Sequence, residues 1–88
     1  MAVYYGAWIV RASDGTLVAE LPDFPEVSAS GQNKARVSAL ASVRVAACIA
    51  LMRQQGKALP PATSTPALLD GCVERRAVGH FWVSASDA

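Results

Sequence analysis

The chain has 88 residues, 52% of them apolar and only 17% charged, with a formal net charge of +1. That composition excludes a disordered chain, and the near-neutral balance lacks the clustered basic excess of a nucleic-acid-binding protein. One small domain spanning residues 1–88 is expected, with a thin core and more apolar surface than a monomer this size hides, so self-association or a protein partner is expected.

Two cysteines, Cys48 and Cys72, supply neither a disulfide framework nor a metal site. Cys48 falls in an apolar helical run and reads as a buried thiol. The first residues, Met-Ala-Val-Tyr-Tyr, have no basic lead-in of the signal-peptide kind. The longest apolar run, Val43 to Met52, is interrupted by Arg44 and too short to span a bilayer. A soluble cytoplasmic protein is therefore expected, with no membrane contact.

Val3 to Val10 (VYYGAWIV) is rich in aromatic and β-branched residues and reads as a strand. Ser13-Asp14-Gly15 is a turn signal, and Thr16 to Leu21 is the return strand of a hairpin. Pro22 ends it, because proline has no N–H to give to a ladder. Val27 to Ser30 reads as a short third strand antiparallel to the second. A helix is expected from about Gln32 to Gln55, capped by Gln32 or Asn33 and closed by Gly56.

Two stripes run along that helix. Ala35, Ala39, Val43, Ala46 and Ala50 form a slim one, suited to close approach to a sheet. Val37, Leu40, Ala41, Cys48, Leu51 and Met52 form a bulkier one, which needs some other cover. Arg44 projects near the middle of the bulkier face, either reaching to water or pairing with an acid. Lys57 to Pro61 leaves the helix, and Ala62 to Pro66 is a Ser/Thr/Pro linker. A short second helix capped by Ser64 or Thr65 runs to Val73, weakened by Gly71. Arg75-Arg76 is a small basic pair. Val78 to Ala85 is the last strand, with Phe81 and Val83 on one side and Trp82 on the other. The order β-β-β-α-(α)-β defines an α+β class: a small antiparallel sheet with one long helix packed on it.

Catalytic chemistry finds little here. The lone histidine, His80, sits in strand-like surroundings beside two aromatics, which suits a structural or interface role better than a general base. There is no nucleophile elbow, no Gly-rich loop after a strand and no His/Cys spacing for a metal. Glu20 and Asp23 are the nearest pair of acids, while Glu26, Asp70, Glu74 and Asp87 are scattered. A two-metal nuclease needs several converging carboxylates. No enzyme activity, cofactor or metal is expected.

The order of motifs resembles the HicB-like antitoxins, the protein halves of bacterial toxin–antitoxin pairs whose toxins are HicA-like. Asp14-Gly15 fits that family's hairpin turn. Leu21-Pro22-Asp23-Phe24-Pro25 fits its F-P-D-L-P-G strand end, Ala35 and Ala39 its helix alanines, and Leu51 to Pro61 its exit, with Gly56, Leu59 and Pro60 in place. The likeness covers Tyr4 to Pro61 and, more loosely, the last strand. Glu26 departs from it by replacing glycine, Lys34 by standing where an acid is usual, and Ser38 by replacing asparagine.

The resemblance implies a degraded RNase H-like fold without catalytic carboxylates. It implies an antitoxin-type module that neutralises a small, basic, RNA-cleaving HicA-like toxin by direct contact. Glu20, Asp23, Phe24 and Glu26 are the candidate contacts; alternatively, the loop only turns a corner and Phe24 caps the core. Arg44, Cys48, His80 and Trp82 are candidates for a dimer or tetramer interface. Family members often carry a further C-terminal DNA-binding domain; none follows Ala88, so direct DNA binding is not carried over. The competing expectation is a stand-alone oligomeric scaffold or regulator without a toxin.

Overall fold

The computed structural model describes residues 3–85. Its elements are β1 (Val3–Arg11), β2 (Leu17–Glu20), β3 (Ser28–Gly31), α1 (Lys34–Gln54), α2 (Thr65–Glu74) and β4 (Gly79–Ala85). The four strands form one sheet in the order β3-β2-β1-β4, antiparallel at every pairing. The α+β class, the three-strand meander, the long helix and the closing strand are all as the sequence indicates.

Side chains alternate across a strand, and that alternation separates the two sheet faces. Tyr5, Ala7, Ile9, Leu17, Ala19, Ala29, Val83 and Ala85 form one face and share a single buried core with α1. Gly6 and Trp8 point to the other face, where α2 packs: a Cβ built on Gly6 would lie within 2.8 Å of Leu68 Cδ1, and one on Gly71 within 2.8 Å of the Trp8 ring. The molecule is therefore three layers deep, with a helix on each side. Gly71 in α2, unfavourable for helix propensity, makes room for the Trp8 ring.

The helix stripes are a correction. α1 buries Val37, Ala41, Val45 and Ile49, spaced i, i+4, i+4, i+4, with Cys48 and Met52 packed at the margin. The alanine stripe Ala35, Ala39, Val43, Ala46 and Ala50 faces outward, and so do Leu40 and Leu51 from the bulkier set. Close approach is supplied by the sheet instead, whose inner face is lined with Ala7, Ala19 and Ala29 and with Gly31, where an added Cβ would stand 3.2 Å from Val37 Cγ2. Branched side chains on the helix fill what small residues on the strands leave open. As a whole α1 is long and apolar enough by composition to cross a membrane, although it serves here as the core helix.

Helix ends follow local chemistry. The Asn33 and Ser64 side chains accept from the backbone N–H of Arg36 and Ala67, relieving orphan donors. Both helices close the same way, with Lys57 N–H donating to Met52 O and Ala77 N–H to Cys72 O, the Schellman arrangement. The left-handed position is Gly56 in α1 (φ 71°) and Arg76 in α2 (φ 54°), so α2 ends with a backbone strain that α1 avoids.

Candidate partner-binding surface

The β2–β3 loop is two tight turns in series. Phe24 N–H donates to Leu21 O at 3.2 Å, and Val27 N–H to Phe24 O at 2.9 Å. Pro22 and Pro25 each take the second position, where a fixed φ near −65° favours a turn. The repeat of three sends Leu21, Phe24 and Val27 inward and leaves Pro22, Pro25 and Glu26 exposed. Phe24 is 1% exposed and meets the Tyr5 ring edge-on at 4.8 Å between centroids. Its ring belongs to the core.

Asp23 fastens this loop to the linker between the helices. Thr63 donates to it from backbone N–H (3.0 Å) and from Oγ1 (2.6 Å). Tyr5 adds a second fastening, its hydroxyl donating to Pro60 O at 2.7 Å; burial, followed by the nearby Asp23 charge, raises the pKa of that phenol. Glu26 is exposed and accepts a long hydrogen bond from the Cys48 thiol (3.5 Å). Burial, then that bond, raises the pKa of Cys48. The thiol is half-buried, less enclosed than the sequence suggests.

Glu20 lies on the α2 face, where the register sets it beside Trp8. Trp8 Nε1 donates to it at 2.7 Å, and Arg75 binds it with two nitrogens at 3.0 and 2.7 Å. The Arg75 hydrogen bond chiefly, helped by Trp8 and opposed by burial, holds the Glu20 carboxyl below its ordinary value. Beside this cluster lies a groove of about 340 Å³, lined by Trp8, Val18, Glu20, Pro22, Pro25 and Arg75 among others. Both turns of the proline loop contribute to its wall, through Pro22 and Pro25.

A lowered folded pKa means that Glu20 stabilises the fold fully above the ordinary glutamate value of 4.5. That contribution is lost as pH falls through the folded value. Glu20→Gln is therefore expected to flatten the acid limb of the stability profile, read as urea midpoints from pH 3 to 7. An acid limb identical to wild type would show that the Glu20–Arg75 pair adds nothing in solution.

The four candidate oligomer residues do not form one patch. Arg44 donates to the Ser28 backbone oxygen and, with Cys48, sits where α1 meets β3. His80 and Trp82 are exposed on the opposite sheet face, on β4. Trp8, Arg75, Thr63 and Pro60 are the partners that sequence reasoning missed. Among the described residues no three His, Cys, Asp or Glu side chains gather into a metal-holding group.

A groove, a fastened proline loop and exposed apolar faces mark a small α+β domain in which Glu20, Asp23 and Glu26 each accept a side-chain hydrogen bond. No protein-family model matches the sequence, and no curated protein matches it. Solved structures do. The N-terminal domain of Burkholderia pseudomallei antitoxin HicB is similar over 98% of this chain and 99% of its own, with a TM-score of 0.75 at 13% identity. One chain of a HicA3–HicB3 toxin–antitoxin complex is similar over 92% of this chain and 95% of its own, with a TM-score of 0.67 at 21% identity. The chain has the fold of the HicB N-terminal domain.

Proposed function

We propose that this chain is an antitoxin-type binding module that neutralises a small HicA-like RNA-cleaving toxin by direct protein–protein contact, without enzyme activity of its own. The observation that carries this reading is the end-to-end likeness of fold to the HicB domain and to a chain of a HicA3–HicB3 complex. The contact surface is the proline loop and the groove beside it: exposed Glu26 and part-exposed Asp23 on the loop, and Glu20, paired with Arg75, in the groove lining. The exposed Glu26 carboxylate suits a basic toxin, since charge steers the encounter, and the apolar groove offers surface whose burial holds the complex. Phe24 supports the loop from beneath. The reduced RNase H-like ancestry, cytoplasmic location and self-association belong to the same proposal.

The test is co-expression with a neighbouring reading frame that encodes a small basic protein of about 60–80 residues, followed by size-exclusion chromatography. The two chains are expected to co-elute, and Glu26→Lys to weaken the complex about tenfold or more through repulsion. Separate elution at micromolar concentration would overturn the reading. The second reading, a stand-alone oligomeric scaffold, is favoured by the outward face of α1, where Val43 is 66% and Leu51 52% exposed.

A further inference from the structure

The near-neutral total charge conceals a sorted distribution. Residues 34–57, which are α1 and its exit, hold five of the chain's eight cations and none of its seven acids. The five are Lys34, Arg36, Arg44, Arg53 and Lys57, and all of them are exposed. The rest of the sequence is left with three cations against seven acids. A basic helix layer therefore lies on an acidic remainder. Glu26 reaches α1 only at Cys48, on the margin of the core and off the outward face.

The arrangement within that layer is specific. α1 buries Val37, Ala41, Val45 and Ile49, so the helical period turns the opposite side to solvent. That side carries Ala39, Leu40, Val43, Ala47, Ala50 and Leu51, all exposed. Cations border this apolar ridge. Arg44 stands on the β3 side, where it donates to the Ser28 oxygen. Arg53 stands on the β4 side, in a cleft with Ser84 and Ala85. Arg36 closes the N-terminal end. The first turn has Lys34 and Arg36 and no acid, at the end where the helix macrodipole is itself positive. An anionic neighbour relieves that repulsion.

We propose that the outward face of α1 docks an acidic amphipathic helix of a partner protein, with its apolar stripe on the ridge and its carboxylates along the basic border. Small residues on the ridge let a second helix axis approach to about 8 Å. The ridge is about 30 Å long. A helix laid along it buries on the order of 1,000 Å² in total, toward the low end for a specific complex, so micromolar affinity is expected.

Other occupants fit less well. A second copy of α1 sets cations against cations, and a basic toxin meets the same repulsion. A nucleic acid needs cations along its phosphate track, whereas methyl groups fill the centre of this face. A helix lying in a bilayer surface sinks large apolar and aromatic side chains into it. α1 has no aromatic residue, and most of its ridge is alanine. The groove offered to a toxin lies toward the other sheet face, so this surface is independent of the antitoxin reading.

The test uses the whole chain and two synthetic helical peptides of the same length as α1. One has alanine and leucine on a single stripe with glutamate on both sides; the other has lysine for every glutamate. By fluorescence anisotropy the acidic peptide is expected to bind with a dissociation constant of about 1–100 µM. The basic peptide is expected to bind about tenfold more weakly or worse. Val43→Asp is expected to raise the dissociation constant for the acidic peptide about tenfold or more with unchanged circular dichroism. Val73→Asp, the same change on exposed α2, is expected to leave it unaltered. No binding at about 100 µM, equal binding of the two peptides, indifference to Val43→Asp or sensitivity to Val73→Asp would each overturn the proposal. Tighter binding to phosphatidylserine vesicles or to duplex RNA would overturn it in favour of a bilayer or a nucleic acid. A dimer of the chain alone that Val43→Asp dissolves would overturn it in favour of a second copy. Toxin co-elution reads the other surface, so either idea can fail alone.

Discussion

Replacing Phe24 by alanine is expected to cost about 3–5 kcal/mol of stability, the range for deleting a fully buried aromatic ring. A domain of this size holds only about 5–10 kcal/mol in all, so the variant is expected to lose about a third or more of its stability. The cost has two sources. A cavity opens under the proline loop, and Tyr5, whose hydroxyl fastens Pro60, loses its edge-on neighbour. Phe24→Leu, which keeps most of the volume, is expected to cost much less. Urea denaturation distinguishes this from a surface role: a midpoint unchanged by Phe24→Ala would mean that the ring stands outside the core.

The second large effect is at the contact between α2 and the sheet. Leu68 is the fully buried residue of α2, and it lies over Gly6. Leu68→Ala is expected to cost about 2–5 kcal/mol and to loosen α2. Gly6→Ala is expected to cost about 1–3 kcal/mol by overpacking, since the new methyl collides with both Leu68 methyl groups. The pair is expected to cost less than the sum, because Leu68→Ala vacates the space that the Gly6→Ala methyl needs. Strictly additive urea midpoints would contradict this packing.

Much of the fold was legible in the sequence because its signals are local. Asp14-Gly15 marks the hairpin, Pro22 the end of β2, Asn33 and Gly56 the limits of α1, and Ser64 the start of α2. Each acts on its own backbone within a few residues. The buried side of α1 was not legible, because it depends on the strands beneath it. The helix is apolar nearly all round, so periodicity could not choose between the alanine and valine stripes. The choice follows from Ala7, Ala19 and Ala29, which leave room for Val37, Val45 and Ile49.

The candidate site was legible in place more than in role. Glu20, Asp23 and Glu26 do border one loop, yet all three are engaged with residues far along the chain, Glu26 with Cys48. Asp23 binds Thr63 across 40 positions, and Glu20 binds Arg75 across 55. No local spacing announces such pairs. Phe24 had two readings from the sequence, and the double turn resolves them: with Pro22 and Pro25 both in second turn positions, every third residue points inward.

Neutralisation by contact is the central claim, and inhibition of RNA cleavage tests it most directly. A purified HicA-like basic protein encoded in a neighbouring reading frame is incubated with RNA while this chain is titrated in. Cleavage is expected to fall to background near one chain per toxin, and Glu26→Lys is expected to shift the titration to higher concentration. Cleavage that continues undiminished in excess of a folded chain would contradict the account.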